Sequence, residues 1–184
     1  MLTTPLGDPL GGLGEWTAGP FLVACALLVF SGATKVVHPS GTRVAARAIG
    51  LPSSRLAVVA LAIVEIGLGV GGAAFGRAVA LGVAACYALL TFTVVRLLRR
   101  APTVPCGCLG SSSSTASPTH VVVNGVAAVA ATLAATQPAP LDGFSGGPVA
   151  VVALGVLLAL SVSLVELVVG SLPELDRLTS SGST

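Results

Sequence analysis

Five predominantly apolar stretches dominate this sequence: residues 16–37, 55–76, 78–98, 120–136 and 148–170. A helix rises about 1.5 Å per residue, and about 20 apolar residues span the hydrocarbon core of a bilayer. The stretches therefore predict an all-α, polytopic transmembrane bundle of about five helices. Composition agrees. Hydrophobic residues make up 54% of the chain and charged residues 9%, whereas a soluble domain carries about 25% charged residues because its surface meets water. Mean hydropathy is +0.98. Lipid must be most of the solvent, so the lipid bilayer is the first expected partner. Net charge is only +2, and no basic run is interleaved with aromatics, so nucleic acid is excluded as a partner. Arginine far outnumbers lysine, and Ala, Val, Gly and Leu are abundant. That usage points to GC-rich bacterial coding, and so to a bacterial cell membrane.

The breaks between the stretches have local causes. Residues 1–15 are rich in Gly and Pro and read as a mobile N-terminal tail without the basic segment of a signal peptide, so the first span acts as the insertion signal. Trp16 stands where an interfacial anchor belongs. His38-Pro39 ends the first span, since a proline biases the residue before it away from helix. Residues 41–49 place Arg43 and Arg47 on one face of a short interfacial helix, which Leu51-Pro52 breaks. Ser53 and Ser54 are candidate caps for the second span. Its far half carries overlapping Gly-x-x-x-Gly spacings, 67/71 and 72/76, which predict close helix packing. A polar loop, residues 101–119, separates the third span from a fourth, short and Ala-rich, for which Ser117-Pro118 is a suitable start. A Pro/Gly loop over 137–147, the fifth span at 148–170 and a polar tail at 171–184 complete the chain.

Five spans put the termini on opposite sides. Lys35, Arg43, Arg47, Arg55, Arg96, Arg99, Arg100 and Arg177 then share one side, and Arg77 alone lies on the other. Positively charged loops stay in the cytoplasm. The expected topology has the N-terminus outside, with the C-terminus and the 101–119 loop in the cytoplasm.

The strongest chemical signal is Pro105-Cys106-Gly107-Cys108-Leu109-Gly110. Two thiols one residue apart in a polar loop suit a strained disulfide or a soft metal, and Gly107 permits the tight backbone such a ring needs. Two sulfurs do not complete a tetrahedral zinc site; His120 is a candidate third ligand, and no fourth is evident. A purely structural loop is the third reading. Glu65 lies about 15 Å into the second span, where a carboxylate is costly and functional by default. Lys35 is its expected partner, reaching inward on a long stem. The pair serves either as a structural lock between the first two helices or in a proton- or quinone-related role. His120 and Asn124, four apart, share a face at the start of the fourth span, which suits interhelical hydrogen bonding or a face turned to the thiols. Cys25 and Cys86 lie inside spans and read as packing residues, and Glu166 as a residue reaching the interface.

Phe30-Ser31-Gly32-Ala33-Thr34-Lys35 and Glu65-Ile66-Gly67-Leu68-Gly69 resemble the DoxX-like superfamily, and the Cys106-Gly107-Cys108 segment followed by a helix with Asn124 resembles its methylamine-utilisation MauE branch. The resemblance covers residues 17–136. It implies a four-helix membrane core, with the fifth helix as an addition or a docking element. It also implies a part in maturation of methylamine dehydrogenase, whose small subunit is rich in disulfides, beside a thioredoxin-like partner. By the same resemblance Cys106 and Cys108 are the redox pair, Lys35 and Glu65 core residues, and Asn124 a neighbour of the thiols. Many members of this branch occur without methylamine metabolism, so the substrate does not carry over.

These observations lead to a membrane thiol–disulfide redox or maturation protein. One of Cys106 and Cys108 would be attacked by the thiolate of a thioredoxin-like partner and the other would resolve the mixed disulfide, with a membrane quinone as a candidate cofactor. A non-catalytic accessory subunit of a larger membrane complex and soft-metal handling by the Cys-x-Cys loop are the alternatives. A transporter fits poorly, since no inverted repeat is evident.

Overall fold

In the computed structural model, residues 11–75, 77–104, 106, 116–137 and 147–181 are described, the side chains of 11–17, 150 and 169–181 excepted. The expected tail over 1–10, the Trp16 side chain, Gly76, Cys108 and the loop over 138–146 lie outside this description. All regular structure among the described residues is helical: α1 (Gly11–Val37), α2 (Ser40–Ala48), α3 (Arg55–Ala74), α4 (Arg77–Arg100), α5 (Pro118–Ala134) and α6 (Pro148–Ser181). Four of these are long and apolar enough to cross a membrane, and α5 is a shorter apolar helix. Its 17 residues reach about 25 Å at 1.5 Å per residue.

The helix ends follow local chemistry. Ser54 caps α3, accepting a hydrogen bond from the Ala57 N–H at 3.1 Å, which satisfies one of the otherwise orphaned donors of the first turn. Beyond α2, Gly50 adopts a positive φ of 77°, a conformation that favours a residue without Cβ; Leu51-Pro52 then carries the chain to α3. Two helices outrun their apolar stretches. Residues 11–15, expected in the tail, belong to α1, and residues 171–181, expected as polar tail, continue α6. The backbone ladder is indifferent to hydropathy, so a helix need not stop where the bilayer does.

α1 packs on α3, α5 and α6, and α4 packs on α5 and α3, so α1, α3, α4 and α5 form the bundle. Its main core joins Phe21, Leu28, Val83, Tyr87, Ala127 and Ala131. The small side chains of α5 let its backbone approach, as small residues do between membrane helices. Tyr87 ties α4 to α1 by donating from its hydroxyl to the Ala24 carbonyl at 2.7 Å. α6 meets the bundle mainly along α1, where Val162 packs on Leu27, and presents most of its described side chains outward, with Leu157, Leu160 and Leu164 each over 60% exposed.

The glycine packing follows the expected spacings in part: Gly71 and Gly72 are buried, and Gly67 departs from them. Gly67 is exposed, and a Cβ there would meet nothing within 4 Å. The close approach uses Gly69 and Gly72 on α3 and Gly32 on α1. A Cβ on Gly69 would lie 2.5 Å from the Cys25 carbonyl oxygen, and one on Gly32 would lie 2.7 Å from the Ala62 carbonyl oxygen. The face of α3 turned to α1 thus carries Ala62, Glu65, Gly69 and Gly72, in helical steps of three and four. Gly69→Ala is expected to force α1 away from α3 at about 1–3 kcal/mol. Gly67→Ala is expected to be neutral or slightly stabilising, since alanine is the better helix former. Thermal unfolding of the two variants in detergent checks the contrast, and equal melting temperatures would refute this packing.

Candidate functional site

α1 and α3 bring Lys35 and Glu65 together inside the bundle. Lys35 Nζ donates to Glu65 Oε2 at 2.7 Å and Oε1 at 2.9 Å, with the side chains 2% and 0% exposed. Ser31, one turn before Lys35, accepts from Nζ at 2.5 Å and donates to Glu65 Oε2 at 3.4 Å. The expected pairing is present. It also alters the charge partition. Lys35 is neutralised in the interior, so seven basic residues, not eight, remain to set orientation from that side against Arg77.

The second part of the site lies at the same bundle end. Cys106 is 2% exposed and packs with Ala45 and Ile49 at the end of α2, with Val94 and Leu97 of α4, and with Ala116. A cavity of 330 Å³ between α2, α3 and α4 has both Lys35 and Cys106 in its lining, together with Cys86, Thr93 and Arg96. Cys86 therefore packs as expected and also borders this space. Cys25 is buried between α1 and α3, where a Cβ on Gly72 would touch its sulfur.

His120 and Asn124 are both buried on one face of α5, 1% and 4% exposed. That face continues through Ala127 and Ala131, which pack on α1 and α4. Ser117 is the N-cap residue of α5, but its side chain makes no cap hydrogen bond. It bonds His120 Nδ1 instead, at 2.8 Å, so the expected cap became a holder for the imidazole. His120 Nε2 is buried without a hydrogen-bond partner among the described residues. No group of three metal-ligating side chains occurs among the described residues; Cys108, which the expected set of Cys106, Cys108 and His120 needs, lies outside them. Glu166 does not simply reach the interface: its side chain is half-buried, and Oε1 is enclosed without a partner among the described residues.

The family model described as methylamine utilisation protein MauE matches residues 16–137. The chain belongs to the MauE family. The match runs from the start of the first predicted span to the end of α5, so it covers the four bundle helices and both parts of the site, while α6 lies beyond it. No curated protein and no solved structure matches the chain. Within this MauE-family core, three contributors escaped the sequence reading. Ser31 was signalled by its position one turn before Lys35, and Ser117 by its position three before His120. Arg96 was counted only as a topology charge, because nothing local distinguishes a cavity-lining arginine from a loop arginine.

Proposed function

We propose that this MauE-family protein is a membrane thiol–disulfide redox protein acting in protein maturation, with Cys106 and Cys108 as its redox pair and a thioredoxin-like protein as its partner. The observation that carries this reading is Cys106 itself: a nearly enclosed thiol at the wall of a cavity that Lys35 also lines. A purely structural loop cysteine has no need of such a space. In the exchange, the partner's thiolate attacks one sulfur of the Cys106–Cys108 disulfide and the other sulfur leaves as thiolate. The partner's second thiol then attacks the mixed disulfide, leaving the partner oxidised and this chain as a dithiol. Two electrons pass from partner to membrane protein. The family's description names methylamine utilisation; the exchange chemistry carries over without requiring that substrate.

We place the protein in the bacterial cell membrane, N-terminus outside and Cys106 loop inside, because the basic residues other than the paired Lys35 still favour that side seven to one. The test is thiol labelling of intact cells with a membrane-impermeant reagent, before and after reduction. The expected result is no labelling of Cys106 or Cys108 from outside, with both reacting after lysis and reduction. External labelling after reduction would overturn this topology. Purified protein that forms no mixed disulfide with a single-cysteine thioredoxin would overturn the redox reading.

A further inference from the structure

The 330 Å³ cavity beside Cys106 falls in the range of small-molecule sites, about 300–1,000 Å³. Its outer wall is built from Leu61, Leu89 and Phe92. Leu89 is 67% exposed and Phe92 60% exposed on the outside of the bundle, so in a bilayer this side of the cavity faces lipid. Its lining is mostly apolar, and Lys35 and Cys106 stand on its inner side. At the rim stands Arg96, whose guanidinium lies 5.9 Å over the Phe92 ring. Arg96 makes no ion pair or hydrogen bond among the described residues, although a guanidinium carries five donors.

We infer that this cavity binds a membrane quinone, with its ring between Phe92 and Cys106, a ring oxygen accepting from Arg96, and its isoprenoid tail leaving past Leu89 into the bilayer. An acyl chain would use the apolar wall alone and leave the Arg96 donors and the thiol idle. The occupant that uses all three features is an apolar ring with oxygen acceptors that takes up electrons. This inference rests on the thiol–disulfide reading for its purpose. The reduced Cys106 and Cys108 thiols lose two electrons and two protons and form a disulfide, and the quinone takes up both to become the quinol. The quinone is then the oxidant that restores the disulfide after each exchange with the partner.

The experiment uses the full chain in lipid nanodiscs and decylubiquinone as the probe. Binding is measured by equilibrium partition against empty nanodiscs. The wild type is expected to bind. Leu89→Trp, which fills the cavity from its lipid side, is expected to lose binding while melting within a few degrees of wild type. Arg96→Gln is expected to weaken binding about tenfold, the loss of one hydrogen bond from a charged donor. Oxidation of the wild-type dithiol by decylubiquinone should yield one quinol per disulfide. Decylubiquinone that fails to bind the wild type, or that binds Leu89→Trp as tightly, overturns the inference. Exchange between the wild type and thioredoxin is followed separately: its absence, with cavity binding intact, would sink the redox reading and leave the quinone site standing.

Discussion

Lys35→Met is expected to destabilise the bundle by about 3–5 kcal/mol, the cost of leaving a buried carboxylate without its counter-charge. Glu65 is fully buried and receives both of its short hydrogen bonds from Lys35 Nζ, with only a longer one from Ser31. Without the ammonium, Ser31 can donate to one oxygen alone. Glu65→Gln should also destabilise the bundle, by removing the counter-charge of the buried ammonium. The double variant Lys35→Met/Glu65→Leu removes both charges and should recover most of the loss, since an apolar pair of similar size often replaces a buried ion pair at no cost. Unfolding of the four proteins in detergent gives the coupling energy directly. Equal losses in single and double variants would mean that the two side chains are not a pair. The double variant also separates the two roles considered for these residues. If it folds and still oxidises its partner, the pair is a structural lock between α1 and α3. If it folds and is inactive, the charges take part in the chemistry.

Cys106→Ala is expected to abolish oxidation of the thioredoxin-like partner while leaving the fold nearly intact. The thiol is enclosed by Ala45, Ile49, Val94, Leu97 and Ala116, so an apolar replacement suits the site. Serine would set a hydroxyl among these apolar neighbours at a cost of about 1–3 kcal/mol, so alanine is the cleaner test of chemistry. Cys108→Ala should be equally inactive in the full cycle. Cys25→Ala should leave partner oxidation unchanged, because Cys25 is packed between α1 and α3 away from the cavity lining. The measurement is the redox state of the partner, followed by alkylation and a mass shift. Partner oxidation that survives Cys106→Ala would refute the assignment of the redox pair. Loss of activity in Cys25→Ala with a normal melting temperature would show that a different thiol is in play.

The sequence by itself determined that this is a helical membrane protein, where its spans lie, and that Lys35 is the partner for Glu65. Those properties are local or nearly so. Transfer of about 20 apolar residues into lipid outweighs any other choice for them, Pro39 and Pro52 interrupt helices through their own rings, and a lone carboxylate inside a span calls for the nearest reachable cation. Ser54 as a cap belongs to the same class. The tertiary structure decided the rest. Gly67 and Gly71 match a packing spacing as well as any pair does, yet α3 is rotated so that Gly69 and Gly72 meet α1. In a helix hydrophobic on all sides, apolar periodicity does not reveal which face turns inward. The same reason hid Arg96 and Cys86 beside Cys106, for residues ten and twenty positions away along the chain become neighbours only when α2, α3 and α4 close around one space. It hid the course of Ser117 too, whose side chain left the cap for His120. Hydropathy sums over single residues and places a helix in the membrane. The rotation of that helix about its axis, and so every contact from which a site is made, is set by packing against partners distant in the chain.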